Sequence, residues 1–189
     1  MKRDSEPLGT SPAAGEVRIE RRLPGPVERV WAYLTDSEKR GLWLAPGAMD
    51  LRVGGRVEHR FRHSDLSHET TPPAHYAAYK AGHVMHGTIT HCDPPRLLSY
   101  TWGDEGDDSE VSFELSPLDG GDVKLVVTQR RLRSRAGMAN VAAGWHVHLS
   151  ILLDRLHGRA PRGFWSAHGR MEAEYTERFA TAAAGGAST

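Results

Sequence analysis

The chain has 189 residues, 39% of them hydrophobic and 25% charged, with 24 basic and 24 acidic side chains. One domain with a sizeable core is expected at this length, and zero formal net charge argues against a general nucleic-acid binder, which needs a basic excess to displace counterions. A single cysteine, Cys92, excludes an intramolecular disulfide framework and a cysteine-rich zinc site.

No apolar run approaches the ~20 residues that span a bilayer. The opening MKRDSEPLGTSPAAGE has charge but no apolar core, so it does not read as a secretory signal. A soluble cytoplasmic protein without a membrane or nucleic-acid partner is the expectation.

Residues 1–16 are rich in Pro, Gly, Ser and charge and read as a disordered lead-in. Val17, Ile19 and Leu23 suggest a first strand, broken at Pro24-Gly25-Pro26. Pro26 suits a first helical position, and Val27, Val30, Trp31 and Leu34 recur at helical spacing. A second short helix is expected from the candidate N-cap Asp36 to Trp43. Gly54-Gly55 is a turn signal between Met49–Leu51 and a strand over 56–62, where Val57, His59 and Phe61 share a face.

Residues 63–82 form a long segment containing Pro72-Pro73, a length usual for functional lids or insertions. Strands are expected over 84–92, 96–102 and 109–115 and at Val123–Val127. The 103–108 stretch reads as an acidic turn and 119–122 as a hairpin turn. Met138 to His157 carries a broad apolar stripe and ends at Gly158. A last amphipathic helix is expected from Phe164 to Ala180.

The order is one strand, two short helices, consecutive strands, then a long helix. That pattern predicts an α+β fold with a curved antiparallel sheet of about six to seven strands wrapped around a long C-terminal helix. The layout is a lead-in over 1–16, a single domain over 17–182 with a helical extension from about 163, and a flexible tail over 183–189.

Several stretches carry a family resemblance in this order. They are Val30-Trp31-Ala32-Tyr33-Leu34-Thr35-Asp36 with Trp43, Gly54-Gly55-Arg56, and Asp93 to Trp102 (DPPRLLSYTW). Ser109 to Leu115 and Gly144-Trp145 leading to Leu153-Asp154-Arg155-Leu156 continue it. Together they resemble the family named after the homologue of the activator of the heat-shock protein 90 ATPase, within the START-like or SRPBCC superfamily that includes polyketide cyclases. The resemblance implies a helix-grip fold with a cavity between sheet and helix. It implies binding of a hydrophobic small molecule, without naming it. His59 stands where the family pattern has an apolar residue, and the 63–82 segment is longer than the usual turn.

Expected ligand contacts are Trp43, Val57, His59, Phe61, Trp102, Phe113, Trp145, His148, Leu149 and Leu152. His59 and His148 would bond a ligand's polar end or move protons near neutral pH; the bland alternative is a core-edge histidine bonded to backbone. No catalytic residue is assigned, since no Ser-His-Asp arrangement or nucleophile elbow appears.

No metal or other cofactor is expected. His83 and His86 point to opposite faces of a strand, and His146 and His148 to different sides of a helix. Arg130, Arg131, Arg133 and Arg135 read as a solvated basic run. The expectation is therefore a binder of an apolar small molecule, with a cyclase- or aromatase-like enzyme using cavity histidines as the alternative. A co-chaperone module that activates an ATPase is a third reading, resting on the resemblance alone. Partners left open are a second copy of the chain and, by the same resemblance, a chaperone.

Overall fold

The computed structural model describes residues 6–103 and 109–185, with side chains up to residue 181. The expected acidic turn falls largely outside these residues, as does the tail beyond 185. Six strands form one antiparallel sheet: β1 (Val17–Pro24), β2 (Arg56–Phe61), β3 (His83–Asp93), β4 (Leu97–Thr101), β5 (Glu110–Pro117) and β6 (Asp122–Arg130). Their spatial order is β1-β6-β5-β4-β3-β2. Met49 contributes only an isolated bridge to Val57, so the seventh strand allowed by the sequence is absent from the described residues. A register shift between Ile89 and His91 interrupts the β3–β4 ladder, and such bulges add twist and bend a sheet.

Two short helices follow β1, namely α1 (Val27–Thr35) and α2 (Ser37–Gly41). Pro26 is the N-cap of α1 rather than its first helical residue. Asp36 caps α2 as expected, accepting from the Lys39 amide at 2.9 Å.

The long helix α3 (Arg135–Leu156) lies against the concave face of the sheet. Ser134 caps its start, with the Gly137 amide donating to the serine hydroxyl at 3.0 Å. Its end is a Schellman turn. The Arg159 amide donates to the Asp154 carbonyl at 2.8 Å and the Gly158 amide to the Arg155 carbonyl at 3.0 Å. Gly158 sits at φ 66°, a conformation in which a side chain would be strained. Helix α4 (Phe164–Gly185) packs on α3 and runs past the expected end at Ala180.

Residues 6–16, expected as a disordered lead-in, make defined contacts with β1 and α4. Thr10 pairs with Arg18 of β1, and the Gly9 amide donates to the Tyr175 hydroxyl of α4 at 2.7 Å. Glu6 is drawn into a largely buried charge cluster: its carboxylate pairs with Arg162 at 2.8 Å and Arg21 at 3.8 Å. Buried Asp154 pairs with the same Arg162 at 3.2 Å. Low complexity in sequence hid the fact that one carboxylate here neutralises arginines from β1 and from the turn before α4.

Arg40 of α2 is fully buried. Its guanidinium donates to the carbonyls of Ala45 at 3.1 Å and Thr35 at 3.0 Å, and to that of Gly47. These bonds close the loop between α2 and β2. Replacing Arg40 with Met leaves several buried carbonyls unpaired, at roughly 1–3 kcal/mol each. Urea denaturation is expected to show a loss of about 3 kcal/mol or more for Arg40→Met; an unchanged midpoint would show that water satisfies those carbonyls.

Candidate functional site

The concave face of the sheet and α3 part at one end, and the 63–82 segment and the start of α4 partly cover the gap. The cavity left there has a volume of about 250 Å³ and stays partly open to solvent. Phe61 of β2, Met85 of β3 and Trp102 just after β4 form the sheet side. Val141, Gly144, Trp145 and His148 form the α3 side, and Phe164, Trp165 and His168 the α4 side. Tyr76 and Tyr79 come from the covering segment, and Leu44 from the loop that Arg40 holds.

Four expected contacts therefore stand on the wall: Phe61, Trp102, Trp145 and His148. The others stand behind it. Val57, Phe113, Leu149 and Leu152 are packed in the core between sheet and helix. Trp43 is fully buried, with its indole donating to the Tyr33 carbonyl at 2.8 Å. His59 is also fully buried, its Nε2 3.2 Å from the Tyr100 hydroxyl. Burial, with the nearby Arg40 charge adding to it, pushes the His59 imidazole down to about 3. It is a neutral core histidine behind Phe61 and Trp102 and is not among the residues that line the cavity.

His148 stands on the wall in a defined state. Its Nδ1 is 2.7 Å from the Trp43 carbonyl, which can only accept, so Nδ1 carries the proton and Nε2 is the acceptor. Burial lowers its pKa to about 4, against the opposing pull of that carbonyl. At neutral pH it therefore offers an acceptor and holds no extra proton to donate, unlike a general acid tuned to pH 7.

Sequence reasoning missed much of the remaining wall. His63 opens the covering segment, and burial with three neighbouring imidazoles lowers it to about 2. Its ring centroid is 4.6 Å from Phe164 and 5.4 Å from His148. Gln129 of β6 accepts from the Trp145 indole at 2.7 Å and fixes that ring. The signals available were the aromatic pair Phe164-Trp165 at the start of an amphipathic helix and the histidine and tyrosines inside the long segment.

That segment is docked as a cover. Two 3-10 turns, His63–Asp65 and Ala74–Tyr79, flank Leu66, which is buried. Ser67 and Glu69 cap α4, accepting from the Phe164 amide at 3.0 Å and the Ser166 amide at 2.9 Å. Tyr76 donates its hydroxyl to Glu172 of α4 and lies 3.0 Å from His168 Nδ1.

Among the described residues no three His, Cys, Asp or Glu side chains come together to hold a metal. His83 faces the cavity, whereas His86 lies on the other sheet face, 3.5 Å from Glu58. In the basic run, Arg130 pairs with Glu16 at 3.2 Å and Arg131 with Glu110 at 3.8 Å. No helix among the described residues is long and apolar enough to cross a membrane.

The family described as Activator of Hsp90 ATPase homolog 1-like protein matches residues 24–157. The chain belongs to this family. A protein from Bordetella parapertussis, known from a solution NMR structure, is 46% identical, with 90% of this chain and 89% of that chain covered and a TM-score of 0.77. CalU16 from Micromonospora echinospora is 25% identical in its crystal structure, with 88% and 86% covered and a TM-score of 0.61. A conserved protein of unknown function from Enterococcus faecalis, at 19% identity, 88% and 85% coverage and a TM-score of 0.64, shares the fold. No curated protein matches the chain. For this member of the Hsp90-activator-homologue family, the helix-grip arrangement expected from the sequence is what the sheet and α3 form.

Three buried histidines and the half-buried His63 have imidazole pKa values far below the usual 6.5: His63 at about 2, His59 and His146 at about 3, and His148 at about 4. Burial leads the causes in every case. The unfolded chain takes up protons as pH falls below ~6.5 while these folded sites do not, so folding stability is full above ~7 and declines toward pH 4. Each site contributes up to about 1.4 kcal/mol per pH unit in that window. Urea midpoints are expected to drop steeply between pH 7 and 5, and His148→Gln should flatten that slope; an equal slope in the variant would remove His148 from the account.

Proposed function

We propose that this protein binds a small, largely apolar, ring-containing molecule in the cavity between the sheet and α3. The observation that carries the reading is the wall itself. It presents Phe61, Trp102, Trp145, Phe164 and Trp165 around about 250 Å³, with no Asp, Glu, Lys or Arg among the lining residues. An apolar cavity of ~150 Å³ accepts benzene, so this volume suits a ligand of about two fused rings. Aromatic side chains offer such a ring offset-stacked or edge-on contacts, each worth about 0.5–1.5 kcal/mol beyond area burial. Membership of a ligand-binding fold family supports the same reading, though fold alone names no ligand.

Gly144 provides a clean test. It lines the cavity on α3, and a Cβ added there would meet nothing within 4 Å. Gly144→Ala is expected to stabilise the protein by about 0.5–1 kcal/mol through helix propensity. Gly144→Leu places its side chain in the cavity. Titration of the wild-type protein with 2-methylnaphthalene, followed by NMR, is expected to shift cavity resonances with a dissociation constant of roughly 1–100 µM. Gly144→Leu should abolish those shifts and keep a folded spectrum. Absence of any shift in the wild-type protein would reject the reading.

A further inference from the structure

One corner of the cavity holds polar atoms that the protein itself does not satisfy. The Trp165 side chain is 5% exposed, and its indole Nε1 is buried without a hydrogen-bond partner in the protein. His63 Nδ1 is likewise buried and unpartnered. His148 Nε2 is the acceptor left after Nδ1 donates to Trp43. His63 stands beside both other rings: its centroid is 5.4 Å from that of His148 and 5.6 Å from that of Trp165. All three residues line the cavity.

Buried polar atoms in native proteins are nearly always paired, and the exceptions call for an explanation. Two such exceptions, Trp165 Nε1 and His63 Nδ1, belong to residues of one cavity wall, beside the His148 Nε2 acceptor. An indole N–H can only donate, whereas His148 Nε2, in the tautomer its backbone bond imposes, can only accept. A ligand carbonyl or ether would answer the indole and leave His148 unanswered. A hydroxyl both accepts and donates. The wall also lacks a cation to pair with a buried carboxylate, which would be costly to desolvate alone.

Resting on the binding reading above, we propose that the corner formed by His63, His148 and Trp165 is a hydroxyl-recognition subsite, and that the ligand class is neutral hydroxylated aromatic molecules. The hydroxyl accepts from Trp165 Nε1–H and donates to His148 Nε2. The apolar rings lie against Trp102 and Trp145.

The test uses the full-length protein and four 2-substituted naphthalenes at pH 7.5: 2-naphthol, 2-methoxynaphthalene, 2-methylnaphthalene and 2-naphthoate. The expected order places 2-naphthol about tenfold tighter than 2-methylnaphthalene, with 2-methoxynaphthalene weaker than 2-naphthol and 2-naphthoate without detectable binding. The Trp165 indole N–H resonance, assigned by its loss in Trp165→Phe, should move with 2-naphthol and stay in place with 2-methylnaphthalene. In Trp165→Phe the advantage of 2-naphthol should shrink while 2-methylnaphthalene still binds. Equal affinity for 2-naphthol and 2-methylnaphthalene, or preference for 2-naphthoate, overturns the subsite and leaves the apolar-cavity reading standing. Failure of all three neutral probes to bind rejects the cavity reading and the subsite together. Should the variant not fold, the wild-type affinity order and the indole shift decide the matter.

Discussion

A guanidinium does not shed its charge in a protein interior, so burying Arg40 obliges the chain to bring acceptors to it. The carbonyls that answer come from the end of α1 and from the α2–β2 loop, and they are backbone groups, so the loop's course is set rather than its side chains. That loop carries Leu44 into the cavity wall and turns the Trp43 carbonyl toward α3. The Trp43 carbonyl in turn fixes which nitrogen of His148 holds the proton. The chemical face that the cavity presents thus depends on an arginine that does not line it.

The same logic explains how polarity is distributed. Charges withdrawn from solvent are concentrated in two places, the Arg40 pocket and the cluster of Glu6, Arg21, Asp154 and Arg162, where they meet carbonyls or opposite charges. The cavity wall receives aromatic rings and neutral imidazoles instead. Imidazole is suited to this compromise. When burial holds it neutral it still brings one donor and one acceptor, without the desolvation cost of an ion. His63 and His148 therefore give the wall directional bonding without making it a site for ions.

Periodicity in the sequence was enough to place the sheet strands, the Asp36 cap and α3, because strand alternation and an apolar helical stripe are local signals. Phe61, Trp102, Trp145 and His148 were identifiable on the same grounds, since Phe61, Trp145 and His148 lie on the inward faces of their elements and Trp102 continues the alternation of β4. Alternation could not tell the wall from the core behind it. Val57, His59 and Phe61 share one face, yet only Phe61 reaches the cavity, since that depends on where sheet and helix diverge. Trp165 and Tyr76 were missed for a different reason. Their positions follow from docking the 63–82 segment on α4 through Ser67, Glu69 and Tyr76, contacts between segments about a hundred residues apart. Glu6 was misjudged because a Pro- and Gly-rich stretch with one buried carboxylate looks like a tail until Arg21 and Arg162 are seen beside it.

Family membership spans residues 24–157, but the cooperative unit of this protein is larger. Glu6 precedes that span, Arg162 follows it, and Asp154 lies at its end; the three form one electrostatic joint with Arg21 of β1. Excising the shared region alone would leave Asp154 in the interior facing no arginine from the α3–α4 turn. It would also strip α3 of the helix packed against it and the cavity of Phe164, Trp165 and His168. The span matched by the family model and the physical unit have different edges here, and residues outside that span cover one side of the cavity.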